Sequence, residues 1–105
     1  MKGNNMQQMM RQVQQMQSKL TKMQEQLAND TAEGQAGGGM VTATVNGKHE
    51  VISVTIEKDV VDPEDVDMLQ DLVVAAVNAA NKNITEHINT EMAKVTGGIK
   101  IPGMM

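Results

Sequence analysis

Few residues of this chain belong to the types that carry acid–base, nucleophilic or metal chemistry. The sequence has no cysteine, and its two histidines, His49 and His87, are far apart. His49 precedes Glu50 in a stretch with strand character, where adjacent side chains point to opposite faces, so the two do not form a pair. His87 and Glu91 are spaced i, i+4 on a predicted helix, but two ligands make a poor metal site. The sequence therefore predicts no enzyme, no metal site and no cofactor.

Three other patterns suggest chemistry and are better explained by structure. Gly37–Gly39 could form a phosphate-binding loop, but no Lys-Ser or Lys-Thr follows and a strand comes next. A flexible connection, or a strand edge approached by another backbone, is predicted there instead. The acids of the DPED segment, residues 62–65, suit the positive end of a helix dipole and are interpreted as a helix start rather than a metal site. Eleven methionines could suggest copper binding, but the helical spacing of those near the start favours packing.

Charge is unevenly distributed along the chain, although the net charge is only −4. Residues 1–28 hold four cations and one acid, whereas residues 57–71 hold seven acids and one lysine. A polyanion meets one face of a protein rather than its average charge, so the basic segment is the candidate for nucleic-acid contact. Its candidate contacts are Arg11, Lys19 and Lys22, which would bind phosphates with an affinity that falls as salt rises. The chain has no aromatic residue to stack on bases.

The basic segment also carries an apolar residue at every third or fourth position from Met6 to Leu27. The members of this seam are Met6, Met9, Val13, Met16, Leu20, Met23 and Leu27. Such a narrow a/d stripe is the pattern by which one helix packs against another. A helix over residues 5–29, capped by Asn4 or Asn5, can bury this seam and still expose its cations. The intervening glutamines are interpreted as a solvated face, with amide contacts to a ligand backbone as the alternative.

A short antiparallel sheet is predicted over residues 31–57. Two alternating β-branched runs in residues 40–56 predict a hairpin, and Asn46-Gly47 between them favours a type I′ turn unless the loop is longer. Residues 31–36 are a possible third strand. Two strands alone are marginally stable in water, so the hairpin needs this strand, a helix or a second chain to cover it.

A long second helix is predicted over residues 63–95, with Asp62 as its N-cap and Pro63 in its first position. Unbroken, it would be about 50 Å long. Either it bends near residues 81–83 or the molecule is elongated. Residues 97–105 are too few for a further element and are predicted to be a mobile tail.

These elements predict a single α+β domain over residues 1–105. One copy has too few partners for its apolar helix seam and bare strands, so we predict an obligate two-fold homodimer. No apolar run approaches the length of a membrane span, and nothing indicates disulfide bonds. A soluble cytoplasmic protein without membrane contact is therefore expected.

Six segments, in order along nearly the whole chain, carry a resemblance to a known family. They are NMQQMM (5–10), AGGGMV (36–41), VNG (45–47), DPED (62–65), LQDLVVAAVN (69–78) and TGGI with PG (96–103). Together they resemble the YbaB/EbfC family of nucleoid-associated proteins. The resemblance implies a tweezer-like homodimer with sheets joined across the dimer, and binding of double-stranded DNA. It further implies effects on DNA conformation, nucleoid organisation and gene expression, and no catalysis.

Two functions of different class remain open at this point. In the first, a dimeric architectural protein holds duplex DNA between two basic arm helices, with Arg11, Lys19 and Lys22 assigned by charge and position. In the second, a protein–protein interaction module uses the methionine-rich seam to bind a partner helix, which the acidic residues steer. The acidic pI of about 5.0 counts against the first function when charge alone is considered.

Overall fold

The computed structural model describes residues 2–96, with side chains for residues 5–95. The elements in chain order are α1 (Lys2–Asn29), β1 (Thr31–Ala36), β2 (Val41–Asn46), β3 (Val51–Ile56), a 3-10 turn (Lys58–Val60) and α2 (Val66–Thr96). This order confirms the α+β class and the third strand. Residues 97–105, predicted as a mobile tail, lie outside the described residues. Within the described part of the chain, neither helix is both long and apolar enough to cross a lipid bilayer.

The sheet is antiparallel, and its strands are ordered as they occur in the sequence, with β2 in the centre. Val41, Ala43 and Val45 of β2 are fully buried, and half-buried residues alternate with them. The helix α2 lies across β1 and β2 and adds Ala76, Ala80 and Ile84 to this core. The core therefore lies between one face of two strands and one stripe of α2, whereas β3 extends beyond it.

Small side chains allow α2 to approach β1 closely. Gly34 is buried opposite Ala43, and a Cβ atom added to it would collide with the backbone of Ala76 and Ala80. Beside this contact, the Asn83 side-chain amide donates a hydrogen bond of 2.7 Å to the Glu33 carbonyl oxygen. The glycine is needed here for its lack of a side chain, since a β-carbon would push the helix away from the sheet.

The turn between β2 and β3 differs from the predicted type I′ turn. The backbone N–H of His49 donates to the Asn46 carbonyl (2.9 Å), and the positive φ (63°) falls on His49 rather than on Gly47. The Asn46 side-chain oxygen accepts from the N–H groups of Lys48 (2.9 Å) and Glu50 (3.0 Å), which holds Asn46 before the turn instead of inside it. Gly47 instead allows close approach, because a Cβ atom there would collide with the Leu27 carbonyl.

The three consecutive glycines form the connection between β1 and β2. All three have positive φ angles of 63°, 69° and 95°, a region that glycine enters without strain. The connection joins two paired strands, Ala36 being opposite Val41. The prediction of a connecting loop rather than a phosphate-binding loop is confirmed, and the alternative of a strand edge at these glycines is wrong because strand pairing ends at Ala36.

Both predicted helix starts were wrong by three residues. The helix α2 begins at Val66 rather than at residue 63, because Asp62 to Asp65 form a turn closed by the Asp65 N–H and the Asp62 carbonyl (2.9 Å). Asp65, not Asp62, is the N-cap, and its carboxylate accepts from the Met68 N–H (3.2 Å). At the start of the chain, the helix begins at Lys2 and includes Asn4 and Asn5. Asparagine favours the cap position, but this preference alone does not stop the preceding residues from being helical.

The molecule is elongated. The helix α2 is continuous over 31 residues and about 46 Å long, so of the two predicted alternatives, a bend near residues 81–83 or an elongated molecule, the structure has the second. The principal dimensions are 78 × 25 × 16 Å. The end of α1 at Asn29 is as predicted, and the strand β1 begins two residues later.

Candidate nucleic-acid interface

The first helix projects from the sheet as an arm. Along its seam, the exposed fraction of the side chain rises from 6% at Leu27 through 47% at Met16 to 67% at Met6. Val95, at the end of α2, lines one shallow cleft with Met16 and Lys19. The part of α1 before Met16, which we call the arm tip, therefore extends beyond the end of α2.

The base of the arm is fixed to the sheet and to α2. Leu27 is buried, and its carbonyl passes directly over Gly47. One residue after the helix, the Asp30 carboxylate lies 2.8 Å from Nε2 of His87 on α2. These contacts hold only the last turn of α1, so the arm's direction is set at one end.

We expect His87→Ala to loosen this base with little loss of stability. The side chains of His87 and Asp30 are 37% and 45% exposed, and a polar contact with such access to water contributes about 1 kcal/mol or less. Hydrogen exchange should be faster at the Asp30 and Thr31 amides. Urea unfolding should show only a small decrease in the free energy of unfolding. Glu86→Ala, at an exposed neighbouring position of α2, is the control. A decrease in the free energy of unfolding above about 2 kcal/mol would mean that His87 contributes to core packing rather than holding the base of α1.

The three predicted DNA contacts lie on one side of the arm helix. At 100° per residue, Arg11 and Lys22 point in directions about 20° apart, and Lys19 lies about 80° from Arg11. Arg11 and Lys22 are about 16 Å apart along the axis, which is the rise of about five base pairs. All three are exposed, and none has an ion-pair partner among the described side chains.

The seam lies on the opposite side of the same helix. Its members point about 120° to 180° away from Arg11 at this helical spacing. The seam therefore faces α2 near the arm base, while Arg11 and Lys22 point to solvent and Lys19 borders the cleft beside Val95. The sequence prediction that these cations lie off the seam agrees with this helix.

The acidic residues lie at the far end of the molecule. The helix α2 starts at Val66, beside the acidic turn, and ends where Val95 meets Lys19. About 40 Å of helix thus separates the acidic turn from the arm cations. At an ionic strength of 0.15 M this distance is about five Debye lengths, so the acids do not cancel the field of the arm.

The residues first considered for chemistry have separate partners. His87 contacts Asp30, whereas Glu91 accepts from Lys94 (3.1 Å), so the i, i+4 pair does not form a joint site. His49 approaches the Asn81 side chain (3.4 Å) rather than Glu50. Within residues 5–95, no group of three His, Asp or Glu side chains is arranged to hold a metal ion.

Two features of the interface were missed in the sequence. The His87–Asp30 contact joins residues 57 positions apart, and no local pattern indicates it. Lys94 lies next to Val95 and thus at the level of Lys19, although Glu91 partly neutralises it. A basic residue in the last turn of α2 was the available signal for Lys94.

Comparisons with known proteins identify the family. The model of the YbaB/EbfC DNA-binding family matches residues 1–99. A nucleoid-associated protein of Thermoanaerobacter pseudethanolicus is 54% identical over 102 residues, covering 97% of this chain and 92% of the relative. Another, of Pelotomaculum thermopropionicum, is 49% identical and covers 99% of both chains.

The fold recurs in a solved structure. The crystal structure of an uncharacterised protein from Helicobacter pylori aligns with a TM-score of 0.67 and 22% identity, covering 83% of this chain and 91% of that one. The family is one of nucleoid-associated DNA-binding proteins and not of enzymes. With an exposed basic arm and a family match over nearly its whole length, this chain belongs to the YbaB/EbfC DNA-binding family.

Proposed function

We propose that this protein binds double-stranded DNA as a homodimer at the nucleoid, mainly through phosphate contacts, and alters the conformation of the DNA. A role in nucleoid organisation and gene regulation follows from this activity. The observation that carries the proposal is the row of exposed, unpaired cations on a projecting helix, Arg11, Lys19 and Lys22, in a chain of a DNA-binding family.

Residue types on the arm favour backbone contacts over base readout. Base readout usually depends on a recognition motif that brings several side chains to the base edges in a groove, and the sequence shows no arginine cluster and no helix-turn-helix spacing. The arm has a single arginine, and its lysines act as point charges that suit phosphates. Its outward glutamines can donate to phosphate oxygens without adding charge. Sequence-tolerant binding is the expected result.

The strand β3 supports the homodimer. All six of its residues are exposed, and it forms the free edge of the sheet. Val51, Val54 and Ile56 lie opposite the buried Val45, Ala43 and Val41, so they share the apolar face of the sheet. The helix α2 covers that face on β1 and β2 but not on β3. A second copy pairing along this edge would satisfy the free backbone groups and bury these side chains.

A joined sheet would also account for a change in DNA conformation. Two arms fixed to one sheet hold their cations at a set separation and direction. Both arms can bind one duplex only if the path of the DNA matches that geometry. Bending a duplex of 20–30 base pairs by 40–90° costs about 1–6 kcal/mol, which additional phosphate contacts can offset.

Salt dependence tests the phosphate contacts. The three assigned contacts of each arm give six in a dimer, so the log–log slope of the association constant against salt should be about −5, measured by gel shift between ~50 and ~200 mM. The triple variant Arg11→Gln, Lys19→Gln, Lys22→Gln should lose most of this slope and of the affinity. The control Lys48→Gln, Lys58→Gln, Lys82→Gln changes the net charge equally on exposed residues outside the arm. Equal losses in both variants would refute the arm as the interface.

A protein–protein interaction module is the second candidate, because the arm tip exposes a large apolar surface. Met6, Met9 and Met10 are each more than 60% exposed. Methionine-rich helical surfaces adapt to different partner helices. Pull-down from lysate with and without nuclease separates the two functions, since partners held through DNA are lost on digestion.

A further inference from the structure

Most of the seam at the arm tip has no partner among the described residues, although Met16, at its base, lines the shallow cleft with Val95. Met6, Met9, Val13 and Met16 are 67%, 65%, 56% and 47% exposed, although the same seam is buried at Leu27. With Met10, these side chains form a continuous apolar strip of about two heptads. A shallow apolar depression between Met9, Met10 and Val13 indents it. Water covers this strip in the single chain, at a free-energy cost proportional to its apolar area.

The residues beside the strip determine what can cover it. In a coiled coil, the flanking e and g positions select the partner through their charges. Here those positions are Met10, Gln12 and Gln17, all of them uncharged, and Lys19 lies only at the end of the strip. A second copy of this helix therefore meets no like charge along residues 6–17 of the contact, and its 3–4 spacing matches by symmetry.

We propose that the arm tip is a second self-association surface, on which the seams of two arms from different dimers pack in antiparallel orientation. In this orientation Met9 of one arm lies beside Val13 of the other, and Met6 beside Met16. The sheet domains then lie at opposite ends of the paired arms and do not collide. This surface is separate from β3, which is at the sheet edge.

Pairing leaves the DNA-binding side of both arms free. Arg11 and Lys22 point about 160° to 180° away from the centre of the seam, so the paired arms present cations on two opposite sides. Each side can bind one duplex. Paired dimers would therefore bridge two DNA segments, a consequence that rests on the proposed function.

The pairing is weak by itself and depends on local concentration. A strip of two heptads is shorter than the three to four heptads typical of stable coiled coils. Each dimer offers two arms, and bound DNA holds many dimers near one another, which raises the effective concentration of a second contact to millimolar levels. Bridging should therefore appear at high protein density on the DNA.

Cross-linking tests the pairing without DNA. The chain has no native cysteine, so Met9→Cys and Val13→Cys proteins can be mixed and treated with a short thiol-reactive cross-linker. We expect cross-linked chain pairs in the mixture at least about fivefold above those from Gln8→Cys mixed with Gln15→Cys, whose side chains lie on the cation side. No excess over this control would mean that another occupant, such as residues 97–105 or a different protein, covers the strip, and would overturn the proposal.

Bridging tests the consequence and separates it from DNA binding itself. A bead-bound duplex should retain a free labelled duplex in the presence of the protein, and Met9→Gln with Val13→Gln should reduce this retention about tenfold. The same variant should bind one short duplex as tightly as the unsubstituted protein. If the unsubstituted protein binds no duplex, the proposed function fails, while cross-linking still decides arm pairing. If the variant binds single duplexes and bridges normally, the pairing proposal is wrong.

Discussion

Gly34→Ala is expected to lower the free energy of unfolding by about 3 kcal/mol, near the upper end of what overpacking costs. The added methyl group would meet the Ala76 carbonyl oxygen and the Ala80 nitrogen, both of which are backbone atoms of α2 that no rotamer change can move. Relief requires α2 to shift from the sheet, which opens the core around Ala43 and Ala80. Urea unfolding, followed by far-ultraviolet circular dichroism at fixed protein concentration, measures the loss.

Gly38→Ala is the matched control for this prediction. Gly38 has a left-handed φ (69°), which Gly34 does not have, and nothing lies within 4 Å of a Cβ atom added there. The Gly38→Ala variant should lose only the free energy that corresponds to the backbone strain of alanine in that region, about 1 kcal/mol. Equal losses in the two variants would show that α2 does not rest on Gly34 in solution.

Val54→Asp is expected to convert the proposed homodimer into monomers. Val54 lies opposite the buried Ala43, on the apolar face of β3 that α2 leaves uncovered. In the dimer contact, each chain would bury the introduced carboxylate away from water and without a cationic partner. Removing each charge from water costs several kcal/mol. Sedimentation velocity should show a change from twice the chain mass of 11.4 kDa to the mass of one chain.

Thr55→Asp on the neighbouring position controls for charge on the same strand. Thr55 pairs with Thr42 on the polar face of the sheet, where a carboxylate stays hydrated. This variant should retain the dimer mass. A dilution-resistant monomer in the unsubstituted protein, or dimers in Val54→Asp, would refute the β3 contact.

Periodicity predicted the elements better than their ends. The alternating runs and the 3–4 spacing fixed two helices and a hairpin, because burial on one face requires those periods. Local hydrogen bonds decided the boundaries. The two acids Asp62 and Asp65 both suit a cap, and the turn closed by the Asp65 N–H assigned the cap to Asp65.

The candidate interface was predictable only where it follows from one helix. The directions of Arg11, Lys19 and Lys22 depend on helical geometry alone, so sequence spacing predicted them. The contact of His87 with Asp30 and the burial of Leu27 over Gly47 depend on how α1 leaves the sheet. Contacts between residues so distant in the chain have no local signature.

Among the described residues of α1 only Leu27 is buried, so the helix behaves as a lever fixed at its base. Arg11 is about 24 Å from Leu27 along the axis, so a tilt of 10° at the base moves that guanidinium by about 4 Å. The displacement exceeds the rise of one base pair, about 3.4 Å. Small rotations about Leu27 would thus let a rigid arm adjust to grooves of different width and phosphate position, while the sheet keeps the mean direction of the arm set; this suits the sequence-tolerant binding proposed above.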